Sequence, residues 1–165
     1  MEGDTSLGAA FRQALRRLAA TPCVLAAFSD AGERIGMTAT AVSALSLEPA
    51  SLLASVNRGR SLHRLLTPGR RFSVNLLDDG NAALCLPFAG SAPQGARFDH
   101  GEWRDCDGAP CLADAVSFSC AVDAAWDYAT HTIIVGRVRE VRGAGAGAPV
   151  AYAEGGLHRL SPWDA

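Results

Sequence analysis

Val116-Ser117-Phe118-Ser119-Cys120-Ala121-Val122-Asp123-Ala124-Ala125-Trp126 is the stretch whose pattern decides the fold. Apolar Val116, Phe118, Cys120, Val122, Ala124 and Trp126 alternate with Ser117, Ser119 and Asp123, a period of two that assigns the two sets to opposite faces of a long strand. A short turn over Asp127 to Ala129 leads into a second β-rich run, Thr132 to Val141, so the pair predicts an antiparallel hairpin.

Outward from this hairpin the chain keeps reading as short strands. Phe72, Val74 and Leu76 alternate with Ser73, Asn75 and Leu77, and Cys23 to Phe28 and Leu52 to Val56 are brief apolar runs of buried-strand length. Gly36 to Leu47 is a run of small, β-compatible residues stopped by Pro49. Helical spacing is confined to Leu7, Phe11, Ala14, Leu15 and Leu18, within Ser6 to Ala20, and to short segments at Ser61 to Leu66 and Asn81 to Leu86, the last ended by Pro87. From there to Pro110, five glycines and prolines at Gly90, Pro93, Gly95, Gly101 and Gly108 predict an irregular excursion. Gly143 to Gly147 reads as a flexible link to a last strand near Val150 to Tyr152 and a tail at Leu157 to Leu160. Six or seven short strands with few helices predict a mainly β protein, a closed or split β-barrel, in one domain over residues 1–165.

A content of 48% hydrophobic residues is enough for a core without metals or disulfides. With 15 basic against 17 acidic residues and a net charge of -2, no patch favours nucleic acid or an anionic membrane surface. The five cysteines are odd in number, scattered and free of CxxC pairs, which points to a reducing cytoplasm rather than a disulfide framework. The first residues carry no apolar signal core, and no run is long and apolar enough to cross a bilayer. His63, His100 and His158 have no metal-ligand spacing, so no metal is expected. Motifs of a serine hydrolase, a P-loop and a Rossmann dinucleotide site are all missing.

Three segments carry candidate chemistry. Between Gly36 and Ser46 nearly every side chain is small, so a flat ring can lie against the backbone and take hydrogen bonds from peptide N–H groups and from Thr38, Thr40, Ser43 and Ser46. An ordinary packed strand has the same composition. Asn57-Arg58-Gly59-Arg60-Ser61 follows a strand and opens a helix, where N–H groups, a hydroxyl and two guanidiniums can converge on a phosphate; a capped helix with solvated arginines is the other reading. His131 stands where a strong strand begins, placed either to donate to something bound at the barrel end or to serve the structure alone.

In their order along the chain, four motifs resemble the flavin-reductase-like family, the small reductase components of two-component flavin-dependent monooxygenases. They are Gly36-Met37-Thr38-Ala39-Thr40-Ala41-Val42-Ser43, Val56-Asn57-Arg58 with Ser61-Leu62-His63, Arg71 to Leu77, and Asp127-Tyr128 with His131 to Val138. The resemblance spans Phe11 to about Leu160. It implies a split β-barrel with a Greek-key element and a few short peripheral helices, paired as a homodimer. It also implies a reaction in which NADH or NADPH passes a hydride to FAD or FMN, the reduced flavin going to a separate monooxygenase. By the same resemblance Thr38, Ala39, Thr40, Ala41, Ser43 and Ser46 belong to the ring platform, and Asn57, Arg58 and Ser61 to the ribityl and phosphate end. Phe88, Ala89, Arg97 and Phe98 lie in a segment that covers the flavin, and His131 is the residue beside the nicotinamide. The tail, Tyr152-Ala153-Glu154-Gly155-Gly156-Leu157-His158, lacks the basic pair that relatives carry. Two rivals remain open at this stage: a split-barrel flavoprotein that retains FMN for electron transfer or ligand binding, and a barrel scaffold without cofactor.

Overall fold

The computed structural model describes residues 2–143 and 147–163. After a helix α1 (Glu2–Leu15), eleven strands follow: β1 (Cys23–Phe28), β2 (Arg34–Ala39), β3 (Val42–Leu47), β4 (Ala50–Asn57), β5 (Arg71–Leu76), β6 (Trp103–Cys106), β7 (Ala109–Leu112), β8 (Ser117–Tyr128), β9 (His131–Arg142), β10 (Val150–Ala153) and β11 (Gly156–Arg159). Seven form one antiparallel sheet in the order β2-β1-β5-β8-β9-β4-β3, and the other four make two separate hairpins. The order itself explains the curvature. Edge strands β2 and β3 are joined by only Thr40 and Ala41, so the sheet must roll until its ends meet. The Ser55 N–H donates to the Ala41 carbonyl at 2.9 Å and so extends the β3–β4 ladder into this link, while β2 and β3 share no ladder. This is the split barrel the sequence predicts. Its Greek-key character lies in β4 and β5, consecutive among the sheet's strands yet separated in it by β8 and β9.

Strand β1 reads as fully apolar because it is covered on both faces. Cys23, Leu25 and Ala27 enter the barrel core with Val56, Leu62, Phe72, Val74, Cys120 and Ile134. Val24 and Ala26 face outward into a second cluster with Leu77, Leu84, Phe88, Trp103 and Leu112. Gly136 admits the Phe72 ring to the barrel, since a Cβ there would stand 2.5 Å from Phe72 Cζ. Cys23 and Cys120 fill core space, and burial pushes each thiol up to about 12. Buried Asn75 has both ends of its amide satisfied. Its nitrogen donates to the Val24 carbonyl at 2.9 Å, and its oxygen accepts from the Leu112 N–H at 2.9 Å and the Ser117 hydroxyl at 2.7 Å. One side chain thus ties β5 to β1, β7 and β8.

Several sequence expectations change. Ser117 and Ser119 are buried, Ser117 against Asn75 and the Leu112 carbonyl, so both faces of the first half of β8 are covered, while Ala124 and Trp126 are exposed beyond the bulge that leaves Asp123 without a partner in β9. The Gly36 to Leu47 run is two strands, and the hairpin turn is Ala129-Thr130, since β8 runs through Tyr128. The excursion holds a hairpin, β6–β7, beside helical turns at Pro87–Ser91 and Gln94–Asp99. Pro87 opens a turn instead of ending one, its missing N–H costing nothing at a first-turn position. The helix expected over Asn81 to Leu86 is the single 3-10 turn Ala82–Leu84. The first helix stops at Leu15, five residues before the expected end. Residues 144–146 of the glycine link lie outside the described residues. The tail folds as the β10–β11 hairpin, where Arg17 donates to Glu154 at 2.8 Å and so ties the turn to the end of α1.

Candidate functional site

Strand β2 and two loops enclose a cavity of about 150 Å³. Met37 and Thr38 come from β2, Gly59, Arg60 and Ser61 from the turn after β4, and Phe88, Ala89 and Arg97 from the strap between Leu84 and Trp103. Each loop is fixed by local chemistry. Asn57 Oδ1 accepts the Gly59 N–H at 2.8 Å, a turn that reverses the chain so that Arg60 and Ser61 face the cavity. The strap is clamped to β2 by the Gly36 carbonyl, which accepts from Arg97 at 2.7 Å and from Gln94 at 3.2 Å. Gln94 also accepts from the Ser61 hydroxyl at 3.2 Å, so it spans the mouth. Phe88 and Phe98 meet edge to face at 5.0 Å over Gly36, where an added Cβ would lie 2.8 Å from Phe88.

The electrostatics are one-sided. Among the described residues neither Arg60 nor Arg97 has a carboxylate within ion-pair distance, although eight other arginines do. Burial, helped by the Arg60 charge, lowers the pKa of Arg97. Two uncompensated guanidiniums beside a hydroxyl and a small-residue strand fit a phosphorylated ring compound.

Of the residues singled out in the sequence, Thr38, Ser61, Phe88, Ala89 and Arg97 line this cavity, with Phe98 packed behind them. The Thr38 hydroxyl donates to the Cys85 carbonyl at 2.7 Å and retains its acceptor lone pairs. Ala39 turns its side chain into the barrel core, leaving only its backbone available, while Thr40 and Ala41 are exposed in the link at the seam. Ser43 is exposed on β3, and Ser46 sits at the far end of that strand opposite Ser51, away from the cavity. Arg58 is held elsewhere: its side chain reaches Asp127 at 3.6 Å and the Ala129 carbonyl at 3.4 Å. His131 opens β9 opposite Asn57, with Nδ1 2.9 Å from the Thr130 hydroxyl, outside the cavity lining. The residue assignments left out Met37, Gly59 and Arg60, although all three lie in quoted segments and the Arg60 guanidinium is one of the two read there as able to meet a phosphate. They also missed His63, whose Nε2 stands 2.7 Å from Thr132 Oγ1 while that hydroxyl donates to Asp127 at 2.5 Å. The chain Arg58–Asp127–Thr132–His63 therefore braces the turn that carries Arg60.

The sequence profile of the family described as flavin reductase like domain matches residues 15–161. The chain belongs to this family. It is 36% identical over 148 residues to an FMN reductase (NADH) of Methylorubrum extorquens, a match covering 88% of this chain and 73% of the relative. It is 39% identical over 135 residues to the reductase component of an FADH(2)-dependent resorcinol hydroxylase of a Rhizobium species, covering 80% and 75%. Among solved structures, this flavin-reductase-like chain superposes on the styrene monooxygenase flavin reductase of Pseudomonas putida S12 with a TM-score of 0.82 and 29% identity, over 94% of this chain and 99% of that one. A Streptomyces globisporus NADH:FAD oxidoreductase, solved with NAD and FAD fragments, matches with a TM-score of 0.82 and 26% identity over 92% of both chains.

Proposed function

We propose that this flavin reductase takes a hydride from NADH or NADPH, places it on FAD or FMN, and supplies the reduced flavin to a separate monooxygenase. The observation that carries the reading is the facing pair Arg60 and Arg97, unpaired with any acid among the described residues, at a cavity whose other walls are the small-residue strand β2 and the Phe88–Phe98 aromatic pair. When bound, the flavin ring supplies the hydride acceptor. Arg60, Arg97 and Ser61 hold its phosphate, and the Met37–Thr38 backbone lies against its ring. Phe88 and Phe98 exclude water from that side. His131 orients the nicotinamide by donating a hydrogen bond, so no strong acid or base is required. The reading includes a homodimer, supported by exposed apolar side chains on β3 and the outer half of β8, where Leu47 is 94% and Tyr128 77% exposed.

Stopped-flow mixing of the protein with flavin and nicotinamide, with His131→Ala in parallel, tests the chemistry. Nicotinamide oxidation should require added flavin, and the variant should raise KM for the nicotinamide and slow flavin reduction while flavin affinity holds. A protein that purifies yellow and does not oxidise NADH would instead be a retained-flavin carrier.

A further inference from the structure

The wall that brings Arg60 and Ser61 to the cavity has little to hold it in place by itself. It leads into the five-residue 3-10 turn Ser61–Leu65, a conformation that is weak alone, and Arg60 at the N-cap makes no side-chain cap bond. With about three residues per turn, Ser61, Leu62 and His63 point in three directions. Ser61 faces the cavity, Leu62 is fully buried in the barrel core, and His63 meets the β8–β9 hairpin. Leu62 fixes the depth of the turn, but apolar burial is non-directional and leaves the turn free to rotate. Rotation is set by His63. Its Nε2 stands 2.7 Å from Thr132 Oγ1, and that hydroxyl gives its one proton to Asp127 at 2.5 Å. The Thr132 oxygen is left to accept, so His63 Nε2 carries the hydrogen and donates. Thr132 is 5% exposed, so water competes weakly for this bond. At the other foot of the turn the Arg58 N–H donates to the Thr130 carbonyl at 3.0 Å. The Arg58–Asp127 ion pair, 3.6 Å apart and open to solvent on both sides, adds little.

We propose that His63 and Thr132 are positioning residues for the flavin phosphate: the bond between them sets the rotation of the turn, and that rotation aims Arg60 and the Ser61 hydroxyl into the cavity. This rests on the reading of the cavity as a flavin phosphate site. Neither residue lines the cavity, so both act through the backbone of 59–63. The walls on the ring side, Met37–Thr38 and the strap with Phe88, are anchored elsewhere, by Arg97 and Gln94 on the Gly36 carbonyl. Loss of the His63–Thr132 bond therefore weakens the hold on the phosphate and spares the ring.

FMN and riboflavin are titrated against the wild type, His63→Ala, Thr132→Val, the double variant, His63→Gln and His63→Asn, each checked by thermal unfolding. His63→Ala and Thr132→Val should each weaken FMN by about tenfold and leave riboflavin unchanged. The double variant should lose no more than either single one, because both remove the same bond. Glutamine carries its amide nitrogen as many bonds from the backbone as His63 Nε2, so His63→Gln should restore most of the FMN affinity. Asparagine falls one bond short, so His63→Asn should not, and it makes the same test should His63→Ala fail to fold. The proposal is overturned if FMN and riboflavin weaken together, if the two single losses add, or if His63→Gln behaves as His63→Asn does. A wild type that prefers FMN, with that preference intact in His63→Ala, removes the positioning role alone. A wild type that binds FMN no better than riboflavin removes the phosphate reading and this proposal with it.

Discussion

Arg60 and Arg97 stand close enough for the charge of one to depress the pKa of the other, and bound dianionic phosphate turns that repulsion into attraction. Arg60→Ala should therefore weaken FMN by ~1.5–3 kcal/mol, the usual worth of a charged hydrogen bond, and leave riboflavin nearly unaffected, whereas Arg97→Ala, which also unclamps the strap, should weaken both flavins. Arg58→Ala should change FMN affinity far less, because that guanidinium serves Asp127 and the Ala129 carbonyl. Fluorescence titration of the three variants with both flavins measures this, and a larger loss at Arg58 would move the phosphate site out of the cavity. The sequence marks the window 57–61 as anion-binding, yet it cannot say which arginine faces in. That choice is made by the Arg58 N–H, which donates to the Thr130 carbonyl at 3.0 Å, and by the Asn57 side chain turning the next peptide. Both are contacts with particular partners, invisible to periodicity.

The strap over residues 87–99 shows the same limit for whole elements. Its glycines and prolines mark it as irregular, but its position comes from Arg97 and Gln94 gripping the Gly36 carbonyl and from Gln94 meeting Ser61. Gln94→Ala keeps every charge and frees one end of that bridge. It should speed flavin dissociation several-fold, with a smaller change in affinity, because a looser strap eases entry as well as exit. Stopped-flow displacement reads the rate, and an unchanged rate would mean that the strap does not gate the cavity. The β6–β7 hairpin escaped prediction because each strand is four residues long and carries Pro110 or charged Arg104 and Asp105 where alternation would be sought. The bulge at Asp123 in β8 misled the reading for a related reason. A bulge moves every later side chain to the other face, and nothing in the local residue pattern announces it.

For the molecule as a whole, the exposed Leu45, Leu47, Trp126 and Tyr128 on β3 and β8 are more apolar surface than an isolated barrel wants in water. Light scattering over a dilution series should give twice the chain mass, and Leu47→Asp should shift the equilibrium toward monomer. Losing a buried leucine costs roughly 1.5–3 kcal/mol per copy, whereas at an open surface the change would be near neutral. A monomer at every concentration, with Leu47→Asp silent, would refute the pairing. By itself the sequence determined the β-rich class, the long β8–β9 hairpin, the β1, β4 and β5 strands, and two of the windows that supply the cavity, within 36–46 and 57–61. Periodicity, turn residues and composition are local properties, and each of these features is written locally. Only the tertiary structure decided the rolled order in which β2 meets β3, the burial of Asn75 and Ser117, and the meeting of Arg60 with Arg97 across 37 positions of chain. Long-range pairing sets these contacts, and its free energy depends on which faces and charges come together in space.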